Sequence, residues 1–94
     1  MREISIIIPT FNEKKNIHRL IKNIKKAVPK AHIVIVDDSI DSEIGKIVKK
    51  NKFLHVNYYH RKNMRGRGSA VLFGLRKNFT KNKKRIFIEM DADF

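Results

Sequence analysis

The chain of 94 residues contains no cysteine, which excludes a disulfide framework and a metal site built from thiolates. It has no apolar run near the ~20 residues that a membrane-spanning helix needs. Its first residues lack the pattern of a signal peptide, and no repeat, linker or low-complexity segment interrupts it. These absences fit a reducing compartment, and we expect a single small cytoplasmic domain.

Acidic residues are scarce, since nine Asp and Glu stand against 22 Lys and Arg, which gives a formal net charge of +13. This charge favours polyanionic partners such as nucleic acid, an anionic membrane surface or phosphorylated ligands. The lysines are spread along helix-like stretches, so a compositional bias and a functional basic patch both remain open. The acids, in contrast, follow closely on apolar runs, at Glu13, Asp37, Asp38, Asp41, Asp91 and Asp93.

Short apolar runs alternate with helical patterns and predict the element order βαβαβαβ. Strands are predicted at 5–8, 33–36, 56–59 and 86–88, the third of them at a sheet edge. Helices are predicted from a cap at Asn12 to Ala27, over 42–50, and from about Ser69, the last burying Ala70, Val71, Leu75 and Phe79. Continuous apolar runs favour strands covered on both sides, hence an open parallel sheet with helices on both faces.

Five carboxylates fall at or just after the predicted strand ends, at Glu13, Asp37, Asp38, Asp91 and Asp93. Ligands of open α/β sheets bind outside the carboxyl ends of the strands. Carboxylates gathered there repel one another unless a divalent cation, or the donor groups of a sugar or base, lies among them. Asp91 and Asp93, if extended, point the same way and can hold one hard cation, and through it a diphosphate. A polar turn after a strand is the alternative.

Two further motifs have two interpretations each. Asp37 and Asp38 can accept hydrogen bonds from a base or ribose, or can cap the following helix. The basic segment at 65–68 is either a loop that contacts phosphate through Arg65 and Arg67, or a turn that starts a helix. This segment lacks the third glycine of the dinucleotide fingerprint and the ending of a P-loop. The histidines show no metal-ligand spacing.

Four short motifs occur in order along the chain. They are Ile6-Ile7-Ile8-Pro9-Thr10-Phe11-Asn12-Glu13, Ile35-Val36-Asp37-Asp38-Ser39, Arg65-Gly66-Arg67-Gly68-Ser69-Ala70 with Gly74, and Met90-Asp91-Ala92-Asp93. Together they resemble the N-terminal half of a family 2 glycosyltransferase of the GT-A fold. Within that family the set is most similar to the dolichyl-phosphate and polyprenyl-phosphate mannose synthases, and the resemblance covers essentially the whole chain.

The resemblance implies a nucleotide-sugar site whose positions are Pro9, Phe11, Glu13, Val36, Asp38, Asp91, Ala92 and Asp93. It implies that Asp38 accepts a hydrogen bond from the base. It also implies that Asp91 and Asp93 hold Mg²⁺ or Mn²⁺ against the diphosphate of GDP-mannose or a UDP-sugar. The metal would stabilise charge on the leaving nucleoside diphosphate. A polyprenyl phosphate is the implied acceptor, which is compatible with peripheral contact at the cytoplasmic face of a membrane.

The chain departs from the family pattern at three places. Phe11 stands where the family usually has Tyr, so the ring is kept and the hydroxyl is lost. The segment 39–42 lacks the usual Pro and Gly, which leaves the donor sugar open. The chain stops just after the Asp-x-Asp motif, before the family's third metal ligand, acceptor site and catalytic base. We therefore expect residues 1–94 to be a partial domain that keeps the donor half and does not turn over.

Two other classes remain as alternatives. A nucleic-acid-binding module would be driven by the +13 charge and would bind with a steep salt dependence. A divalent-dependent α/β phosphotransferase would use an aspartate as nucleophile. Its Asp-x-Asp would be expected after the first strand, whereas here the motif follows the fourth.

Overall fold

Seven elements alternate in the predicted order. The computed structural model describes residues 3–12, 14–53, 55–62, 64, 66–79 and 85–92. The elements are β1 (Glu3–Thr10), α1 (Lys14–Ala27), β2 (His32–Asp37), α2 (Glu43–Asn51), β3 (Val56–His60), α3 (Arg67–Asn78) and β4 (Arg85–Glu89). Within those ranges no helix is long and apolar enough to cross a bilayer.

The four strands form one parallel sheet in the order β3-β2-β1-β4, which confirms the predicted open parallel architecture. The central strands β1 and β2 carry the continuous apolar runs, and β3 lies at an edge as predicted. The register places Thr10 of β1 beside Asp37 of β2, and Asp37 beside His60 of β3. Three strands therefore end level with one another, and the segments that follow them meet at one rim.

Both faces of the sheet are covered, because alternate residues of β1 and β2 point to opposite sides. On one face Ile8 and Ile35 pack with α1 and α2, and on the other Ile7, Val34 and Val36 pack beneath α3. Helix α1 has one apolar face, and its residues Ile17, Leu20, Ile21 and Ile24 are all buried. This arrangement explains why the runs in β1 and β2 are continuous rather than alternating.

Three local predictions are corrected. Asn12 does not cap α1: the helix begins at Lys14, and Asn12 has a φ of 54° in the left-handed region, whereas a capping residue is extended. Helix α3 begins at Arg67, two residues earlier than predicted, directly after a turn at Gly66 with a φ of 144°. Phe79 follows the end of α3 in extended conformation and is 69% exposed rather than buried.

Helix α3 approaches the sheet most closely at Gly74. A β-carbon at this position would lie 2.9 Å from Cγ2 of Ile7 and 3.3 Å from Cγ2 of Val36. Both atoms belong to fully buried β-branched side chains, which have little freedom to move away. Only glycine lets the helix axis come this close to β1 and β2.

We expect Gly74→Ala to lower the free energy of unfolding by about 1–3 kcal/mol through overpacking. The control is Gly68→Ala, where an added β-carbon meets nothing within 4 Å. Urea unfolding followed by circular dichroism measures both variants. An unchanged midpoint for Gly74→Ala would contradict the close approach described above.

Candidate functional site

The rim at the ends of β1, β2 and β3 is held together by backbone hydrogen bonds beyond the strands themselves. The amide of Asp38 donates to the carbonyl of Thr10 at 2.9 Å, and the amide of Arg61 donates to the carbonyl of Asp37 at 2.8 Å. The amide of Asn12 donates to Oγ of Ser39 at 2.7 Å. The loops after β1 and β2 are therefore fixed to each other, and the side chains they carry have defined positions.

Asp37 is fully buried, and its carboxylate is satisfied by groups from all three strand ends. Oδ1 accepts hydrogen bonds from Oγ1 of Thr10 at 2.8 Å, and from the amide and Oγ of Ser39 at 3.1 and 2.5 Å. Oδ2 accepts a hydrogen bond from the Tyr58 hydroxyl at 2.6 Å. Burial, together with this bond to Asp37, raises the pKa of Tyr58 well above its ordinary value. Asp37 therefore links the three strands through the hydrogen bonds of its buried carboxylate.

Asp38 forms a buried, two-pronged ion pair with Arg61. Nε and Nη2 of Arg61 lie 2.7 and 2.6 Å from Oδ1 and Oδ2 of Asp38, and the two side chains are only 4–5% exposed. The same guanidinium donates through Nη1 to Oγ of Ser69 at 2.7 Å and through Nη2 to the carbonyl of Gly66 at 3.3 Å. The bond to Asp38 raises the pKa of Arg61. This pair joins β2 and β3 to the start of α3.

A cleft of about 310 Å³ opens at this rim. Its lining comes from β1, from the residue after β2 and from the start of α3, namely Pro9, Thr10, Phe11, Asp38, Gly66, Arg67 and Ala70. The cleft thus brings together the ring of Phe11, the carboxylate of Asp38 and the start of α3. A ligand with a flat polar group and a negatively charged group matches this lining.

The start of α3 is suited to an anion. Gly66 precedes the helix without a side-chain cap, and the first turn contains no acidic residue. The free amides of a helix N-terminus point outward with partial positive charge, which favours phosphate. Arg67 adds a full positive charge in the same turn. Of the two interpretations of the segment 65–68, the helix start is confirmed at Arg67, and the same position can also contact phosphate.

Arg67 also reaches across to the end of β4. Its guanidinium pairs with Asp91 through Nη1 and with Glu89 through Nη2, while all three side chains remain about half exposed. Hydrogen bonding to Asp91 is the main cause that raises the pKa of Arg67. Among the residues that the structure describes, no group of three or more His, Cys, Asp or Glu is arranged to hold a metal ion.

The predicted site residues fall into four groups in the structure. Three of them line the cleft, namely Pro9, Phe11 and Asp38. Val36 and Ala92 are buried in the hydrophobic core, each on a different face of the sheet. Asp91 does not line the cleft but pairs with Arg67, which does. Glu13 and Asp93 lie outside the described residues, as does Arg65. Neither Asp37 nor Asp38 caps α2, which instead follows Ser42, with the Glu43 amide bound to Asp41.

Three residues of the rim are absent from the sequence-based site. Arg61 lies two residues after the predicted strand 56–59, and the structure places it directly after β3, on the same rim as Asp38. Thr10 lies beyond the predicted strand 5–8 and Tyr58 lies within a predicted strand, and both bind Asp37 in the structure. The one hint in the sequence was that buried carboxylates need partners.

Comparison with solved structures defines the class of fold. A mannosyltransferase from Pyrobaculum calidifontis, solved in complex with GDP-Man and Mn²⁺, superposes with a TM-score of 0.77 at 25% identity. The match covers 99% of this chain and 28% of the other. The parallel sheet, the helices on both faces and the cleft at the strand ends are those of the nucleotide-binding half of a GT-A fold.

Sequence comparison then identifies the family. The model of the family described as Glycosyl transferase family 2 matches residues 5–94, and the chain belongs to that family. A polyprenol monophosphomannose synthase of Mycolicibacterium smegmatis is 32% identical over 95 residues, covering 94% of this chain and 34% of the relative. A dolichol-phosphate mannosyltransferase of Pyrococcus furiosus is 32% identical over 94 residues, covering 97% and 26%. The chain thus spans between about a quarter and a third of the length of these relatives.

We expect Arg61→Ala to destabilise the fold by about 3–5 kcal/mol, because it leaves the carboxylate of Asp38 buried and unpaired. The double variant Arg61→Ala/Asp38→Ala should lose less than the sum of the two single variants, by at least about 1 kcal/mol. Denaturant unfolding of the four proteins measures this coupling.

The matched control for the buried pair is the exposed pair of Lys46 and Glu43, 3.4 Å apart with side chains 70% and 42% exposed. Its removal by Lys46→Ala should change stability by less than about 1 kcal/mol. Strict additivity of the Arg61 and Asp38 variants would show that the two charges do not support each other.

Proposed function

We propose that this chain is the donor-binding part of a glycosyltransferase that transfers a hexose from a nucleoside diphosphate to a polyprenyl phosphate. The observation that carries the proposal is the cleft lined by Phe11, Asp38 and the start of α3 with Arg67, whose guanidinium also pairs with Asp91. GDP-mannose is the favoured donor, since the solved neighbour holds it and the named relatives are mannosyltransferases. A UDP-sugar is the second candidate.

The residues that line the cleft would share the recognition of the nucleotide. Phe11 would supply an apolar ring for one face of the base, and Asp38 would accept a hydrogen bond from a base N–H. Arg61 occupies one lone pair on each oxygen of Asp38, and a second lone pair on each remains to accept another donor. The free amides of α3 and the guanidinium of Arg67 would contact the diphosphate.

A divalent cation fits the carboxylates at the end of β4. Asp91 offers exposed oxygen ligands, and together with Glu89 it already holds the positive guanidinium of Arg67. Hard cations such as Mg²⁺ and Mn²⁺ take carboxylate oxygens, so Asp91 would be one ligand and Asp93 the second by resemblance. When bound, such a cation stabilises the negative charge that develops on the leaving nucleoside diphosphate.

A titration of the purified chain with GDP tests the proposal. We expect GDP to bind in the presence of Mn²⁺ and to bind at least tenfold more weakly after chelation with EDTA, because the cation would offset the repulsion between the diphosphate and the carboxylate of Asp91. Isothermal calorimetry provides the affinities. Phe11→Ala should weaken binding further, by roughly tenfold or more if stacking on the base is lost.

A short DNA duplex serves as the competing ligand in the same experiment. Tight duplex binding that falls steeply with salt, without metal-dependent GDP binding, would favour the nucleic-acid-binding module instead. We also expect the 94 residues alone to leave a labelled sugar on its nucleotide when a polyprenyl phosphate is added. Formation of labelled glycolipid by the pure chain would contradict this part of the proposal.

We further propose that the chain works in contact with the cytoplasmic face of a membrane. Helices α1 and α2 lie side by side on one face of the sheet and expose many basic residues, among them Lys14, Lys15, Arg19, Lys22, Lys26, Lys46, Lys49 and Lys50. The only acidic residue within these two helices is Glu43. A basic layer of this kind is attracted to anionic lipid headgroups at about 1 kcal/mol for each lysine near the surface.

Sedimentation with lipid vesicles measures this contact. We expect the chain to bind vesicles containing phosphatidylglycerol and not vesicles of phosphatidylcholine alone, with binding lost at high salt. Lys22→Gln should weaken it roughly fivefold, whereas Lys77→Gln on α3, across the sheet, should have no effect. Equal effects of the two variants would show that net charge alone is responsible.

A further inference from the structure

Arg67 occupies an unusual position between two parts of the site. It lies in the first turn of α3 and lines the cleft, yet its guanidinium is paired with Asp91 and Glu89 at the end of β4. Glu89 and Asp91 are two residues apart on an extended segment, so both carboxylates point to the same side. A single cationic side chain therefore joins the start of α3, where we place the phosphates, to the carboxylates at the end of β4, where we place the metal.

The two arginines of the rim differ in their freedom to move. Arg61 is buried at 4% exposure and bound to three partners from two segments, which locks its guanidinium in place. Arg67 is 52% exposed, and both of its pairs are accessible to water. Exposed ion pairs contribute little to stability, so Arg67 can leave its carboxylates at small cost while Arg61 cannot.

We propose that Arg67 is an exchangeable counter-ion: it holds Asp91 and Glu89 in the ligand-free protein and moves onto the donor's diphosphate when a divalent cation binds Asp91. This inference rests on the function proposed above. Arg67 and a cation would compete for the carboxylate of Asp91, since a metal ion and a guanidinium repel each other. The displaced guanidinium already borders the cleft, where two phosphates supply a site that an arginine fork fits well.

The exchange links the two ligands. Metal alone must displace Arg67 without offering the guanidinium a new partner, so Arg67 opposes the binding of metal by itself. Metal together with a nucleoside diphosphate provides that partner, so Arg67 favours the binding of both. Arg67 is thus a positioning residue that makes metal and nucleotide bind cooperatively, and by linkage the coupling is the same whichever ligand binds first.

The test is a pair of binding measurements on Arg67→Gln, made with Mn²⁺ alone and with GDP at saturating Mn²⁺. Free Mn²⁺ is quantified by electron paramagnetic resonance and GDP binding by calorimetry. We expect Mn²⁺ alone to bind roughly two- to fivefold more tightly to the variant, because the competing pair is gone. We expect GDP with Mn²⁺ to bind about tenfold more weakly, because a charge-assisted contact to phosphate is lost.

Arg76→Gln is the matched control, since it removes the same charge from the last turn of the same helix. Arg67→Lys, which keeps the charge and loses the fork, should fall between the unaltered chain and Arg67→Gln in both measurements. Effects of opposite sign on metal and nucleotide support the exchange. Loss of both affinities together, or values equal to those of Arg76→Gln, would overturn it. If the unaltered chain bound neither Mn²⁺ nor GDP, the proposed function itself would fail, and the exchange with it.

Discussion

The buried ion pair between Asp38 and Arg61 sets the shape of the rim. Two charges with side chains only 4–5% exposed are tolerated because each satisfies the other in a planar, two-pronged geometry. Arg61 also binds Ser69 and the carbonyl of Gly66, so the pair determines where α3 begins relative to β2 and β3. The cleft is the space left between that helix start and the end of β1. The dimensions of the cleft therefore depend on the position of the Arg61 guanidinium.

Basic and acidic residues occupy different parts of this small domain and differ in their burial. Exposed basic residues are frequent on the helices, whereas Asp37, Asp38 and Asp91 lie at or just after the carboxyl ends of strands. At the rim, the carboxylate of Asp37 is occupied by hydrogen bonds inside the protein. Asp38 pairs with Arg61 and also lines the cleft, whereas Asp91 remains accessible to solvent. Asp91, which stays exposed although it pairs with Arg67, thus lies beside the positive end of α3. A ligand that carries both a metal and phosphates matches that arrangement of opposite charges.

The close packing of α3 contributes in a different way. Gly74 lets the helix settle onto Ile7 and Val36, and the turn at Gly66 starts the helix early enough to bring Arg67 opposite β4. A start at Ser69, as the pattern of apolar residues suggested, would have left Arg67 in a loop. A shift of two residues in a helix boundary thus decides whether this arginine belongs to the site.

The sequence alone determined the element order, the parallel sheet and the rim, because strand runs, helical periodicity and strand-end positions are local patterns that burial on both faces enforces. The pattern of strand ends also placed Asp38 at that rim, and the family resemblance added Pro9 and Phe11; all three line the cleft. Only the tertiary structure showed that Arg61, Thr10 and Tyr58 serve the two neighbouring aspartates, and that Arg67 reaches Asp91. Those partnerships join residues up to 27 positions apart in the chain. The partner of a buried charge is the group that the folded sheet brings close to it from a neighbouring strand or helix. The periodicity of apolar residues along the sequence does not reveal which group that is.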